Sequence, residues 1–150
     1  METRLGRLAQ TPRSRTEPPI KPELFVGRLE AQLGKAVGLM QFGVNHLTLE
    51  PGSYSSLRHW HEGEDEFLFV LSGEITLIDD HGEHLLAAGD YVGFPAGMAN
   101  AHHLVNRSSG PTTALVVGTR KQGLETIHYP DDDIGAVTVH RGTDGSRVEN

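Results

Sequence analysis

The chain has 150 residues, enough for one domain with a buried core. Its 13 basic and 20 acidic residues leave a net charge of −7, and residues 22–150 hold eight basic against eighteen acidic, which argues against nucleic acid as a partner. No cysteine is present, so disulfides and thiolate ligands are excluded, and no apolar run approaches the roughly eighteen residues that a membrane span needs.

Residues 1–21 carry Arg4, Arg7, Arg13, Arg15 and Lys21 against Glu2 and Glu17, without the apolar stretch of a secretory signal. With Pro and Ser interspersed, residues 1–20 read as a flexible or extended arm, and residues 21–150 as a single domain. The lack of cysteine fits a cytoplasmic setting. The segment 22–35, PELFVGRLEAQLGK, is the helix candidate, although Gly27 and Gly34 interrupt it. From Met40 onward short apolar runs alternate with turn residues. Strands are expected near 40–50, 54–61, 65–72, 74–79, 83–87, 90–94, 101–106 and 112–119, with one more at 136–140. The breaks between them, among them EPGS, EGED, DDHGE, AAGD and RSSGP, each contain Gly. Short strands at near-regular spacing predict an all-β sandwich or barrel.

Chemistry concentrates in residues 55–74, SSLRHWHEGEDEFLFVLSGE. On a helix, residues two apart point to nearly opposite sides, whereas on a strand they share a face about 7 Å apart along the backbone. His59 and His61 therefore converge if this stretch is extended, and Glu66 opens the next strand across the EGED turn. Three such donors suit a metal ion held by nitrogen and oxygen. Alternation turns Arg58 and Trp60 away from that face. Glu62, Glu64 and Asp65 read as a solvated turn. Residues 131–133, DDD, lack the spaced ligands of a calcium loop and read as an ordinary loop. His46, His81, His84, His128 and His140 read as surface or structural, with His46 the nearest to a barrel-lining position. Tyr54 and Tyr91 are acid–base candidates, with packing as their competing role.

The pattern Gly52, His59-x-His61, Glu66, Gly73 resembles the first motif of the cupin superfamily, with six residues instead of five between Gly52 and His59. Gly89, Pro95 and Gly97 resemble the start of the second motif. The position where that motif places its histidine holds Asn100, while His102 and Asn106 keep the motif's His-to-Asn spacing, so the loop after Gly97 reads as carrying a two-residue insertion. The resemblance covers roughly residues 40–120 and is nearest to small single-domain bacterial cupins (the cupin_2-like conserved barrel), whose reactions are uncharacterised. It implies a double-stranded β-helix, or jelly roll, with a metal inside held by His59, His61, Glu66 and His102. His103 is the alternative fourth ligand. His102 shares its strand face with Leu104 and Asn106, as the motif's histidine and asparagine do, which favours it.

Three imidazoles and a carboxylate suit Fe, Mn, Zn, Ni or Cu without choosing among them. The functions implied are a metal-dependent enzyme of dioxygenase, isomerase or epimerase, or lyase type on a small oxygenated metabolite, or a non-catalytic sensor that binds a small ligand. Family habit and the need to cover sheet edges further imply a homodimer, with PPIKPELFV at the contact.

Overall fold

The structure, a computed structural model, describes residues 2–15, 20–131 and 134–148. The arm contributes β1 (Arg13–Ser14), followed by β2 (Arg28–Gln32), a short helix α1 (Leu33–Ala36) and β3 (Phe42–Leu49). The central strands are β4 (Trp60–His61), β5 (Glu66–Ser72), β6 (Glu74–Asp79), β7 (Gly82–Ala87), β8 (Tyr91–Phe94), β9 (His103–Val105) and β10 (Thr112–Thr119). β11 (Gly123–Tyr129), β12 (Gly135–Arg141) and β13 (Arg147–Val148) close the chain. Among the described residues, no helix is long and apolar enough to cross a membrane.

All strand pairs are antiparallel and fall into two layers. One layer is a six-stranded sheet in the order β1-β2-β3-β10-β5-β8. The other combines β7-β6-β9 with β4-β11-β12-β13, joined by single bridges from Tyr54 to Val105 and from His59 to His102. Period-two alternation decides what fills the space between them. Leu47 and Leu49, Leu68 and Val70, and Ala114 point inward from the first layer, meeting Ile75, Leu77 and Leu104 from the second. Each leucine, isoleucine or valine among them, fully buried, contributes about 1.5–3 kcal/mol. This is the expected all-β jelly-roll barrel. On the same inward rows the apolar residues give way to polar ones: Glu66 precedes Leu68 on β5, and Asn45 precedes Leu47 on β3. The core of the barrel thus runs into a cavity whose mostly apolar wall carries a few polar groups.

The expected helix over 22–35 is corrected. Only Pro22–Phe25 forms a 3-10 turn and only Leu33–Ala36 is helical, while Arg28–Gln32 pairs along β3 with Arg28 opposite Leu49 and Gln32 opposite Asn45. Arg28, Glu30 and Gln32 alternate with Leu29 and Ala31, a strand pattern whose inward face is polar. The expected strand 54–61 shrinks to β4 and two bridges, because residues 55–58 bend. β11 was not expected from the sequence at all. The strand expected at 136–140 extends to Gly135–Arg141, while residues 132–133 of the DDD segment and residues 16–19 of the arm lie outside the described residues.

Candidate metal centre

His59 and His61 sit at the entrance to β4, and both are oriented by backbone pairing. His59 exchanges backbone hydrogen bonds with His102 (N to O, 3.1 and 2.9 Å), while His61 lies opposite Ile127 of β11. The FPAG turn supports the same hairpin: Gly97 donates its N–H to the His61 carbonyl (2.9 Å), and Ala96 donates to Asp65 Oδ1 (2.7 Å). Gly97 adopts φ +79°, a left-handed conformation that glycine enters without steric cost. Glu66 opens β5 and points inward beside Phe94 of β8.

These elements bring four donors together. Glu66 Oε1 lies 2.8 Å from His61 Nε2, 3.3 Å from His59 Nε2 and 3.5 Å from His102 Nε2. The donors of His59, His61 and Glu66 all lie within 4.8 Å of one another, and His102 joins the group at Glu66. Glu66 Oε1 and His102 Nε2 are buried and have no hydrogen-bond partner. A polar atom buried in that state costs about 1–3 kcal/mol unless something compensates it. Donors about 2.1 Å from a common ion, subtending about 90–109° at it, stand about 3.0–3.4 Å apart. The three distances from Glu66 Oε1 to the histidines, 2.8–3.5 Å, bracket this spacing. The far ring nitrogens complete the fit. His59 Nδ1 donates to Leu57 O (2.8 Å) and His102 Nδ1 to Asn100 O (3.0 Å), which leaves each Nε2 as the lone-pair donor. The donor set fits a divalent transition metal.

Charge follows the geometry. Burial pushes the Glu66 carboxyl up, but His102, His59 and His61 outweigh it and hold Glu66 well below the usual carboxylate range. Burial likewise lowers His59, yet Glu66 more than offsets this and His59 is raised overall. Phe94 stacks flat on His102 (centroids 3.4 Å apart, 5° between planes) and fixes that ring. The cluster opens into a cavity of about 170 Å³ whose wall includes Arg28, Glu30, Asn45, Ser56, Leu68 and Val116. Arg28 donates from Nε to Ser55 O (2.6 Å) and from Nη2 to Glu30.

Several other residues fall outside the cluster. His103 points the other way, donating Nδ1 to Ser56 O (3.0 Å) beside the Tyr54 ring. Tyr54 is not part of the cavity wall. Tyr91, the other acid–base candidate, also lies outside the cluster. It is 68% exposed on the outer face, stacked against Phe67 and Phe69, because Val92 and Phe94 take the inward positions of β8. His46 is buried, but on the sheet face opposite to cavity-lining Asn45. Arg58 does point away, clamping Asp131 with Nε and Nη2 (2.6 and 2.7 Å), and Trp60 stacks on His128 (4.1 Å). Glu62 accepts from His128, as befits a surface turn.

Glu64 is a second correction. It is only 3% exposed and forms a two-point ion pair with Arg141 (2.5 and 2.8 Å), so the EGED turn folds inward at this residue. Its partner lies 77 residues away, and no local signal reveals it. Glu125 and Tyr129 of the unexpected β11 also reach the histidines: Glu125 Oε1 lies 3.7 Å from His61 Nδ1, and the Tyr129 ring is 5.8 Å from that of His59. Arg28 and Glu30 were hidden in the segment expected to be helical.

The cupin-domain profile matches residues 45–118. A sugar phosphate isomerase of the cupin superfamily from Silicibacter pomeroyi is 41% identical over 95% of each chain, with a TM-score of 0.79. A protein proposed to be a sugar phosphate isomerase, from Acidithiobacillus ferrooxidans, is 33% identical over 81% of this chain and 74% of its own, with a TM-score of 0.69. A predicted oxalate decarboxylase from Thermotoga maritima, 23% identical over 77% of this chain and 97% of its own, shares the fold with a TM-score of 0.63. No curated protein matches the chain. The inward His-x-His and Glu of one hairpin, the histidine after the FPAG turn and the full-length likeness to the Silicibacter protein lead to one assignment: the chain belongs to the cupin superfamily.

Proposed function

We propose that His59, His61, Glu66 and His102 hold one divalent transition metal, and that the protein is a metal-dependent enzyme of isomerase type acting on a small oxygenated metabolite of the sugar-phosphate kind. One observation carries the metal half of this reading: a buried, unpartnered carboxylate oxygen faces three imidazole nitrogens at ligand spacing. The names of the two most similar structures described above support the substrate class. A divalent ion held here supplies Lewis-acid polarisation of a substrate oxygen.

The protein's own residues do the rest. Leu57 O and Asn100 O hold the His59 and His102 rings in the tautomer that presents Nε2. Leu47, Leu68, Phe94 and Leu104 make much of the cavity wall apolar, which excludes bulk water and strengthens charge interactions inside. Arg28, anchored by Ser55 O and Glu30, offers a cation to an anionic substrate group. In this reading residues 21–150 form the functional unit, residues 1–20 are an arm, and the protein works in the cytoplasm as a homodimer. The exposed outer-face side chains Phe67, Leu71 and Tyr91 support the dimer.

The test is to purify the protein without chelators, measure bound metal, and incubate it with aldose and ketose phosphates in D₂O. Metal-dependent uptake of deuterium beside the carbonyl, followed by NMR, is expected. Tight sugar-phosphate binding with no exchange or turnover would replace the enzyme reading with that of a sensor.

A further inference from the structure

His59 and His102 both rest their Nδ1 on backbone carbonyls, and His61 does not. Its Nδ1 is buried and without a hydrogen-bond partner, 3.5 Å from Glu64 Oε1 and 3.7 Å from Glu125 Oε1. A neutral imidazole that presents the Nε2 lone pair to a metal carries its proton on Nδ1. That N–H points into two carboxylates, which are 3% and 6% exposed.

Glu64 is fixed from outside the hairpin that carries His61, and Glu125 is fixed by that hairpin's own turn. Arg141 of β12 holds Glu64 at two points and also donates to Gly145 O (3.0 Å). Glu125 of β11 accepts the Gly63 N–H (3.0 Å), and a Cβ at Gly63 would come within 2.6 Å of Glu125 Oε2. His61, Glu64 and Glu125 also have the donor types of a metal site. Arg141, however, takes both oxygens of Glu64, and Gly63 takes one of Glu125. The trio is built to receive a proton donor.

We propose that Glu125, together with the Arg141-held Glu64, positions His61 and strengthens it as a ligand, so that the C-terminal strands β11 and β12 set the metal affinity of the barrel. Glu125 and Arg141 both lie beyond the 45–118 segment that matches the cupin domain. A carboxylate that accepts the His61 Nδ1–H raises the electron density that Nε2 offers, and Glu64 and Glu125 lie 3.5 and 3.7 Å from that nitrogen. The inference rests on the metal reading above and adds residues outside the ligand set.

Co(II) titration of the metal-free, full-length protein tests it, read by binding affinity and by the visible bands of the bound ion. Glu125→Leu is expected to weaken Co(II) binding by about 10–100-fold. Glu125→Gln keeps an amide oxygen as acceptor and should recover part of that loss, with visible bands at saturation shifted from those of the unsubstituted protein. Glu62→Gln, on the surface of the same turn, should bind as the unsubstituted protein does. If Glu125→Leu fails to fold, Glu125→Gln decides: unchanged affinity and unchanged bands overturn the proposal. Failure of the unsubstituted protein to bind Co(II) at all would instead overturn the metal reading on which it rests.

Discussion

His61 Nε2 lies 2.8 Å from Glu66 Oε1, yet the two atoms are not joined by a hydrogen bond. A buried imidazole and carboxylate at that distance ordinarily share a proton. Under the proposal above, both atoms are ligands of one ion beside them, and His59 and His102 lie 3.3 and 3.5 Å from the same oxygen.

Glu66→Gln should keep the shape of the site while removing its one anionic ligand. Bound metal should fall by at least about tenfold in affinity while the barrel stays folded, since Leu49, Val70 and Ile75 pack independently of the cluster. Equilibrium dialysis and circular dichroism on the same sample check both halves.

Protons compete with metal for His59. Glu66 raises His59 from its ordinary 6.5 in the metal-free protein, so protonation there begins at a higher pH than for a free histidine. Because imidazolium cannot ligate, metal affinity should decline as pH falls through that raised value and be largely gone below about pH 6. Affinity measured from pH 8 to 5 checks this; a flat profile would contradict it.

His102→Ala should empty the site, and His103→Ala should leave metal bound. His102 Nε2 faces Glu66, whereas His103 is turned to Ser56 O, and burial lowers its pKa. The reverse outcome would show that the insertion after Gly97 is misread by one residue.

Arg58 and Asp131 tie the loop that bears His59 to the turn after β11. The Arg58 guanidinium holds Asp131 below its ordinary 3.8, so the pair's stabilisation is present above that value and lost as pH falls through the depressed one. Because the Asp131 side chain is 50% exposed, Asp131→Asn should cost less than about 1 kcal/mol at pH 7. Urea unfolding at pH 7 and at successively lower pH below 3.8 should show the difference between the two proteins narrowing as the pH falls.

Most strands between residues 42 and 119 were legible because short apolar-rich runs there stop at glycine-containing turns, although the run over 54–61 shrinks to β4. Where the barrel turns polar inside, that signal inverts. β2 directs Arg28 and Glu30 into the cavity, and β11 buries Glu125 while leaving Leu124 77% exposed, so neither reads as a half-buried strand. His59, His61 and Glu66 were legible because one hairpin holds all three. Glu64 and Arg141 were not: each alone is an ordinary surface charge, and only the fold brings them together across 77 residues.

Anomalous diffraction from crystals of protein purified without chelators tests the central claim most directly. The account predicts one metal peak, bonded at about 2.0–2.2 Å to Nε2 of His59, His61 and His102 and to Oε1 of Glu66. An empty cluster after soaking in Mn(II), Co(II) or Zn(II), or a metal held instead by His103 or between Glu64 and Glu125, would contradict it.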